Sequence, residues 1–491
     1  MSISAGSDRR TNGPAIALGA VAVVYLLLEL IVVRLHWGIS YDESVYLSQV
    51  TPGSPPLNWH AWRALGTPVV IAPVALFRPN IVAIRLYTDL VSALGLVVAF
   101  WPWLRVLRTA VVALAALLFA TCWVTIYFGN DVQPNMYVAL AAVAFVGWFV
   151  RACAEIDPSR HAMVGLVVSG FCLTFLRPSD GVFVGVALCL YCLLRADLRR
   201  RRALVAGVLG ALVLGWLPWV IEAFVRFGNP VHRYRLANAS DAVGGFHLGW
   251  RTAGIYLRLV DGPYYGFPAA AKAAGPVRGT AVLFVVVLIV VAVVGRLTAT
   301  EPTAGRAISV ATAAGGALAV FYVFLLGYGA VRFLLPVFAL LALPVAAGVV
   351  WFVEGTPRRL RSVAVLIALV FVAGVVTTQV TTASRLVRHD RVGRGYPQTM
   401  AHELKTDGLR GRCMLIGTVD IGGVSYWARC QAGGPVPDLV SAVRDARSQY
   451  PSVVLITTSR RLPAYFNSWR EVRLSVANGR YRAWFPPASG T

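Results

Sequence analysis

The sequence predicts an α-helical polytopic membrane protein of about eleven transmembrane helices, followed by a small C-terminal α/β domain. The first observation is composition: of 491 residues, 57% are hydrophobic and only 14% are charged, and the mean hydropathy is +0.67. A soluble domain is usually about 45–50% apolar and about 25% charged. The second observation is a series of long apolar segments, and the third is that arginines cluster in short stretches between them.

The apolar segments define the predicted spans, because crossing a bilayer takes about 20 apolar residues per helix. The first segment is long for a signal peptide and lacks a clear cleavage site, so it is predicted to be a retained anchor. A further apolar stretch, residues 66–77, is short and contains prolines, which favours a helix lying at the membrane interface. The predicted spans are 14–34, 81–104, 110–128, 134–151, 161–177, 180–195, 203–222, 280–296, 307–326, 333–353 and 362–381.

The arginine clusters give the predicted orientation. The formal net charge is +23, but the basic residues are dispersed among loops between apolar segments, which argues against nucleic-acid binding. Cytoplasmic loops are enriched in Lys and Arg, so the N-terminus, with Arg9 and Arg10, is predicted to be cytoplasmic. The outer segments also contain arginines, but most of the clusters fall on the cytoplasmic side. The loops that carry them are 105–109, 152–160, 196–202, 297–306 and 354–361.

This orientation divides the chain into a transmembrane domain, residues 1–381, with a long outer loop at 35–80, and an extracytoplasmic domain, residues 382–491. In the second domain, "CMLIGTV" and "SVVLITTS" are typical of buried strands, and "PDLVSAVRDARSQY" of a helix between them. "VRLSVANGRYRAWF" predicts a hairpin with "NG" at its turn. An oxidising compartment would allow a disulfide between Cys413 and Cys430, although two cysteines can also be a coincidence.

Ionisable residues collect in the predicted outer loops. Asp42 and Glu43 are adjacent in "YDESVY", directly after the first span, and Asp131 lies in the short loop "FGNDVQPN". Ionisable groups at a membrane boundary are costly unless paired or solvated, so they are functional candidates. A carboxylate there can act as a general base, and arginine suits a phosphate because its planar fork binds two oxygens. The basic candidates are His60, Arg63, Arg85, Arg177 and Arg332.

Each of these residues also has a structural interpretation. An acidic pair in a loop can simply be solvated, Asp131 can cap the helix that begins near Pro134, and arginines near helix ends can reach lipid headgroups. His60, with Trp59 and Trp62 beside it, can be an interfacial residue without a ligand. The functional interpretation is favoured because all of these charges are predicted to lie on one side of the membrane.

The order of the motifs resembles that of the C-type membrane glycosyltransferases, the superfamily of the protein O-mannosyltransferases and the lipid A aminoarabinose transferases. The resemblance covers most of the membrane part, residues 14–355. Each motif is weak on its own, whereas the ordered set is fairly specific for the superfamily. The matching segments are "YDESVYLSQV", "GSPPLNWHAW", "AIRLYTDLVSALGLVVAF", "FLRPSDGVFVGVAL", "PWVIEAFVRFGNPVHRY" and "RFLLPVFALLALPVA".

This resemblance implies a sugar donor linked to polyprenyl phosphate and transfer with inversion at the anomeric carbon. It implies Asp42 as the general base, Glu43 as its partner and Asp131 as the second acidic position. Arg332, which opens the "RFLLP" motif, is implied as the lipid-phosphate contact. Some relatives use a divalent metal and others do not, so no cofactor is certain and a divalent metal is possible. The other candidate substrate-binding residues are Arg177, Arg85, His60 and Arg63.

The predicted function is an integral glycosyltransferase of the cell membrane. It would move a sugar from a polyprenyl-phosphate donor to a glycan, lipid or protein acceptor of the cell envelope, on the outer face. The alternative is a transporter or flippase of a lipid-linked sugar, which should carry charges near the bilayer midplane, whereas the predicted spans contain few ionisable residues. A non-catalytic envelope scaffold is a third interpretation. The sugar, with mannose and arabinose both reasonable, and the acceptor are not identified by the sequence.

Overall fold

Helices make up most of the described chain before residue 407. The computed structural model describes residues 13–155, 157–195, 198–239, 248–259, 279–297, 301–419, 421–434 and 438–487. In chain order, the helices of this part are α1 (Gly13–Leu28), α2 (Tyr41–Ser48), α3 (Gly66–Ala75), α4 (Ile81–Phe100), α5 (Thr109–Ala120), α6 (Trp123–Phe128), α7 (Pro134–Ala154), α8 (Arg160–Leu176), α9 (Pro178–Leu193), α10 (Leu198–Phe227), α11 (Pro230–Asn238), α12 (Arg251–Leu259), α13 (Gly279–Leu297), α14 (Pro302–Val320), α15 (Leu335–Gly355) and α16 (Arg361–Thr406).

A helix coincides with each predicted span, and the fold class predicted from the sequence is confirmed. Among the described residues, seven helices are long and apolar enough to cross a membrane by length and composition. The other predicted spans coincide with α5, α8, α9 and α13, whose apolar stretches are shorter. α5 ends at Ala120, whereas the predicted span continued to residue 128. The cause is Cys122, whose ψ of 134° breaks the helix before α6 begins.

Helices α7 and α15 lie at the centre of the bundle. In their most apolar windows 83% and 78% of residues are buried, compared with 28% in α10. α7 packs against α4, α8 and α15. The surrounding helices instead expose large apolar side chains, such as Leu94, Val213 and Leu366. Exposed apolar faces of this extent suit contact with lipid rather than with water.

Helix α16 runs without interruption from Arg361 to Thr406. The predicted span ended at residue 381, where the apolar sequence stops, and the predicted domain boundary followed directly. The helix continues because the polar residues after 381 keep the helical backbone hydrogen bonds, and only the hydropathy changes. Beyond that point α16 still buries Leu386, Val387 and Leu404. A single helix therefore joins the two parts of the chain, and the predicted boundary lies within it.

Five strands after α16 form one mixed sheet in the order β2-β1-β3-β5-β4. The strands are β1 (Cys413–Gly417), β2 (Gln431–Gly433), β3 (Ser452–Thr457), β4 (Arg470–Arg473) and β5 (Arg482–Phe485), and the intervening helices are α17 (Gly422–Ala428) and α18 (Leu439–Gln449). β1 pairs in parallel with β2 and β3, whereas β3, β5 and β4 pair antiparallel. The two buried strands, the helix between them and the hairpin lie where the sequence predicts them. At the hairpin turn, Asn478 and Gly479 both have positive φ.

Cys413 and Cys430 form a disulfide, so the first of the two sequence interpretations holds. Their Cα atoms are 4.8 Å apart, and the bond joins the start of β1 to the residue that precedes β2. It therefore closes the base of the segment that contains α17.

The sheet domain contacts the loop at 35–80, which was predicted to lie outside, through α17. Gly422 lies against the ring of Tyr41, and an added Cβ would approach that ring to 2.4 Å. The hydroxyl of Tyr426 lies 3.3 Å from the Thr51 hydroxyl. These contacts place the C-terminal part of the chain next to α2, the helix that carries the predicted acidic pair.

Candidate active site

Helix α2 positions the two acidic residues of "YDESVY". Ser40 and Glu43 have the spacing of a capping box, and the Ser40 backbone N–H donates to Glu43 Oε2 over 2.8 Å. Successive residues of an α-helix point about 100° apart, so Asp42 and Glu43 face different surroundings. Glu43 is fully buried, whereas the Asp42 side chain is 28% exposed.

Glu43 lies at the centre of a buried ionic cluster. Its Oε1 accepts from Arg85 Nη1 over 2.5 Å and from the Val132 backbone N–H over 2.8 Å. Its Oε2 accepts from Arg85 Nη2 over 3.2 Å and from Arg394 Nη1 over 3.0 Å. Burial alone would raise the pKa of Glu43, but Arg85 and Arg394 outweigh burial and hold that pKa below its usual value. Glu43 is therefore an ionised carboxylate with both oxygens occupied.

Arg85, on α4, is fully buried and uses all of its N–H groups within the protein. Besides Glu43, it donates to the backbone carbonyls of Trp37 over 2.8 Å, Gly38 over 2.8 Å and Asn130 over 2.7 Å. Arg85 was predicted to contact a lipid phosphate, but in this arrangement all of its N–H groups already donate to protein oxygens. Arg85 instead fixes the segments before α2 and before α7 around Glu43.

Arg394 joins Glu43 to Asp131. Its Nη1 and Nη2 donate to Oδ1 and Oδ2 of Asp131 over 2.8 and 3.0 Å. Its guanidinium lies 4.5 Å from the ring centroid of Trp37. Burial raises the pKa of Asp131, and the two-pronged contact with Arg394 opposes that rise. The structure thus brings together Glu43 and Asp131, which the sequence places in different loops.

Asp42 is held between two other arginines. Its Oδ1 accepts from Arg63 Nη2 over 2.6 Å, and its Oδ2 accepts from Arg332 Nη2 over 3.0 Å. Burial raises the pKa of Asp42, but Arg63 and Arg332 outweigh burial, and the pKa lies below its usual value. Arg332 is 22% exposed. The predicted base and the predicted phosphate contact therefore lie side by side, at the open edge of the site.

His60 and Arg63 border Asp42 from the loop that follows α2. Arg63 is buried, and its guanidinium lies 4.8 Å from the ring centroid of Tyr46. The His60 ring stacks on Trp62 with 4.3 Å between ring centroids. Burial and the charge of Arg63 lower the pKa of His60 below its usual value. The imidazole is therefore neutral near pH 7.

Arg63 is held in place by Arg233, a residue of α11 that the sequence analysis did not select. Arg233 is fully buried and donates to the Arg63 carbonyl over 2.7 Å and to the Ala61 carbonyl over 3.0 Å. It pairs with Glu222 over 2.9 Å, and its guanidinium lies 4.2 Å from the ring centroid of Trp219. All of these contacts tie the outer loop to α10 and α11.

Arg177 belongs to a chain of hydrogen bonds that leads to Asp131. Its Nη2 donates to Asn135 Oδ1 over 2.5 Å, and its Nη1 donates to the Tyr322 hydroxyl over 2.9 Å. Asn135 donates to Gln133 over 3.1 Å, and Gln133 donates to Asp131 over 3.3 Å. Arg177 is thus connected to the acidic cluster but does not contact Asp42 directly.

Arg394 is a second site residue that was not predicted from the sequence, because it lies beyond residue 381 in the part predicted to be a separate domain. A signal was present in "RHDRVGRGYP", where Asp390 and Arg394 are four residues apart and would share one face of a continued helix. In the structure the Tyr127 hydroxyl donates to Asp390, one turn away from the cluster.

The three predicted carboxylates do not fit a divalent metal. Hard divalent cations need carboxylate or carbonyl oxygens that are available to coordinate them. Glu43 and Asp131 have both oxygens engaged by guanidinium groups, and so does Asp42. Among the described residues, no group of three or more His, Cys, Asp and Glu side chains is arranged to hold a metal ion.

An apolar groove of about 590 Å³ lies between α8 and α10. Two of its walls, Leu217 and Ile221, expose half or more of their surface. The polar end of the groove contains Glu222 and Arg226, and the Arg226 guanidinium lies 5.5 Å from the ring centroid of Trp59 in the outer loop. The lining residues are Leu65, Phe171, Leu214, Leu217, Pro218, Ile221, Glu222, Val225 and Arg226.

No protein-family model matches this sequence, and no curated protein matches it. Solved structures share the fold. ArnT from Cupriavidus metallidurans, bound to undecaprenyl phosphate, superposes with a TM-score of 0.69 at 15% identity, over 98% of this chain and 99% of that one. The oligosaccharyltransferase AglB from Archaeoglobus fulgidus, with an inhibitory peptide and a dolichol-phosphate, gives 0.54 at 11% identity, over 91% and 70%.

A third structure, the arabinofuranosyltransferase AftD from Mycobacteria, gives a TM-score of 0.52 at 14% identity, over 93% of this chain and 37% of that one. These identities are low, and the likeness is one of fold. The architecture implied by the sequence resemblance is thereby confirmed, because the chain shares its fold with these three solved structures over most of its length.

Proposed function

We propose that the protein is an integral-membrane glycosyltransferase that moves a sugar from a polyprenyl-phosphate donor to a cell-envelope acceptor. The observation that carries the proposal is Asp42, a partly exposed carboxylate held between Arg63 and Arg332. A base and a phosphate-binding cation next to each other are what transfer from a lipid phosphate requires. Two proteins of the same fold were solved with a lipid phosphate bound, ArnT with undecaprenyl phosphate and AglB with a dolichol-phosphate.

In the proposed reaction, the acceptor hydroxyl attacks the anomeric carbon from the face opposite to the phosphate. The bond between that carbon and the phosphate oxygen breaks, and its electron pair leaves with the lipid phosphate. Asp42 accepts the hydroxyl proton, and Arg332 stabilises the negative charge on the departing phosphate. One displacement of this kind inverts the configuration at the anomeric carbon.

Donor binding also provides a way to activate Asp42. In the absence of donor, Arg332 and Arg63 keep the pKa of Asp42 low, which makes it a weak proton acceptor. Arg332 holds Asp42 through one nitrogen only, so an incoming phosphate can compete for its guanidinium. Loss of that ion pair raises the pKa of Asp42. The base becomes stronger when the donor is present.

The direct test replaces Asp42 by Asn in the full-length protein and measures transfer from a radiolabelled polyprenyl-phosphate sugar to membrane acceptors. We expect the rate to fall by about 10²–10⁴-fold, the usual contribution of a general base, while the protein stays folded. Asp445→Asn, at an exposed position of α18, is the matched control and should transfer normally. Transfer by Asp42→Asn at the rate of the control would remove Asp42 from the catalytic role.

The apolar groove suits the isoprenoid chain of the donor, because its walls are apolar and a cation lies at its polar end. Leu217→Trp would fill the groove. Overpacking of this kind costs about 1–3 kcal/mol, so the KM for the donor should rise about tenfold or more with kcat little changed. Leu94→Trp, at an exposed apolar position of α4, is the control. Equal KM values for the two variants would show that the isoprenoid chain of the donor does not bind in this groove.

The proposed orientation has the N-terminus in the cytoplasm and the site and sheet domain outside. The Cys413–Cys430 disulfide supports it, because such bonds persist in oxidising compartments. Because α17 contacts α2, this proposal has the site and the sheet on the same side of the membrane.

A transporter or flippase is the second candidate, and one observation favours it. Glu29 is fully buried directly after α1, and neither of its carboxylate oxygens has a hydrogen-bond partner in the described part of the chain. Buried carboxylates within spans are typical of transport pathways. Transfer of labelled sugar by detergent-solubilised protein, which has no second compartment, would favour the enzyme. Failure of that transfer, together with movement of a lipid-linked sugar across proteoliposomes, would favour the transporter.

A further inference from the structure

The ionic cluster of Glu43, Asp131, Arg85 and Arg394 contains equal numbers of carboxylates and guanidinium groups. The side chains of Glu43, Asp131 and Arg85 are fully buried, and the side chain of Arg394 is 11% exposed. Their formal charges cancel, so the cluster needs no added ion to be neutral. A divalent cation placed between the two carboxylates would add two positive charges to a site that already holds two. That is unfavourable in a poorly solvated interior.

We propose that Arg394 is the cation of this site, so that the acid pair is organised by a guanidinium from α16 and takes no divalent metal. The role of Arg394 in catalysis rests on the proposed glycosyltransferase function. The statement that the acid pair binds no divalent metal does not depend on that function. Arg394 Nη1 bridges the two acids, lying 3.0 Å from Glu43 Oε2 and 2.8 Å from Asp131 Oδ1. A bridging atom between two carboxylates is the position that a metal ion would otherwise take.

The surroundings hold Arg394 at that position. Its guanidinium lies between the ring of Trp37, at 4.5 Å, and the ring of Tyr127, at 5.4 Å. Cation–π contacts of this kind favour a weakly hydrated guanidinium over a strongly hydrated ion. Gly38 allows α16 to lie close to the backbone before α2, because an added Cβ at Gly38 would lie 1.9 Å from the Arg394 carbonyl oxygen. The bridge is therefore built into the packing of α16 against the outer loop.

Arg394 is a positioning residue in this scheme. It contacts Glu43, and Glu43 follows Asp42 on the first turn of α2. Holding Glu43 and Asp131 in one place fixes the direction in which Asp42 faces the open edge of the site. A divalent metal would serve the same purpose but could be removed by a chelator, whereas a guanidinium cannot.

The test is Mn²⁺ binding to full-length protein, measured by electron paramagnetic resonance after EDTA treatment and buffer exchange. Wild type and Asp131→Asn should bind the same amount of Mn²⁺, because the acid pair takes none. Arg394→Ala leaves the two acids with Arg85 alone and should bind one Mn²⁺ per protein. The double variant, Arg394→Ala with Asp131→Asn, should lose that binding. Arg388→Ala, at an exposed arginine of the same helix, is the control and should gain none.

Wild-type Mn²⁺ binding that disappears in Asp131→Asn would overturn the proposal, as would a folded Arg394→Ala variant that gains no Mn²⁺. Thermal unfolding reports whether each variant is folded. If Arg394→Ala does not fold, Arg394→Gln retains a side chain of similar length without the charge, and the same two outcomes apply to it. Because Mn²⁺ binding is read without any sugar transfer, its result is independent of whether the protein is a glycosyltransferase.

Discussion

Asp42 and Glu43 are adjacent in the sequence but differ in burial and in their hydrogen-bond partners. Glu43 is buried and bound by two arginines and by backbone N–H groups, whereas Asp42 is partly exposed and bound at the edge of the site. The difference arises because adjacent helical residues point in different directions. We therefore assign different roles to the two acids: Glu43 organises the site, and Asp42 is placed to react.

Replacing Glu43 by Gln should destabilise the protein, because Arg85 would keep its buried charge without its partner. Removing one member of a buried pair costs about 3–5 kcal/mol, and unfolding in detergent, followed by intrinsic fluorescence, would measure it. Asp42→Asn should cost less, because Asp42 and Arg332 are partly exposed and the amide oxygen of Asn can still accept a hydrogen bond from the buried Arg63. Equal losses in the two variants would contradict the distinction.

The ionised Glu43 also predicts how the stability of the protein depends on pH. The folded-state pKa of Glu43 is lower than its usual value of about 4.3. Its stabilising effect is thus complete above about pH 4.3 and is lost as the pH falls through the lowered folded-state value. Wild-type stability should decline in that acidic range, and Glu43→Gln should decline less steeply. Parallel pH profiles would show that the acid sensitivity comes from other groups.

Helix α16 lies close to the backbone of the loop at 35–80 at Gly38. Gly38→Ala should push the helix away, because an added Cβ would clash with a backbone oxygen rather than with a flexible side chain. We expect a loss of about 1–3 kcal/mol in stability and a large loss of transfer.

Gly393→Ala is the matched control for this prediction. Gly393 lies on α16 next to Arg394, with nothing within 4 Å of its added Cβ. Replacing Gly by Ala in a helix stabilises by about 0.5–1 kcal/mol. Unchanged transfer in Gly38→Ala would mean that the exact position of α16 does not matter to the site.

The sequence predicts the helices better than it predicts their ends. Apolar length locates each span, because the bilayer imposes it. It does not detect the continuation of α16 beyond residue 381, since helical hydrogen bonding does not require apolar side chains. Apolar runs similarly locate β1 and β3 in the sequence. They do not predict the order of the strands in the sheet, because the paired strands are separated in the chain.

The site was partly predictable. Loop position and residue type identify Asp42, Glu43, Asp131, Arg63 and Arg332, which the structure gathers into two adjoining groups. The role of Arg85 was not predictable, because a buried and an exposed arginine look alike in the sequence. Arg394 was missed because it lies beyond residue 381, and the local spacing of Asp390 and Arg394 predicts a shared helix face but not the partners of Arg394, which lie more than 250 residues away.

At the scale of the whole molecule, the proposed orientation can be tested with single cysteines. Asn58, in the outer loop, and Arg359, between α15 and α16, are both exposed. In intact cells, a membrane-impermeant maleimide should label Asn58→Cys and leave Arg359→Cys unlabelled until the cells are opened. Wild type gives the background of the native cysteines. The reverse pattern would place the site in the cytoplasm.

The separation of 351 residues between Glu43 and Arg394 also bears on biosynthesis. While the ribosome is still translating the earlier spans, the two buried acids have only Arg85 to neutralise them. Their second counter-charge, Arg394, is translated only with the last long helix, α16. The complete cluster of two acids and two arginines should therefore form only when translation is almost finished.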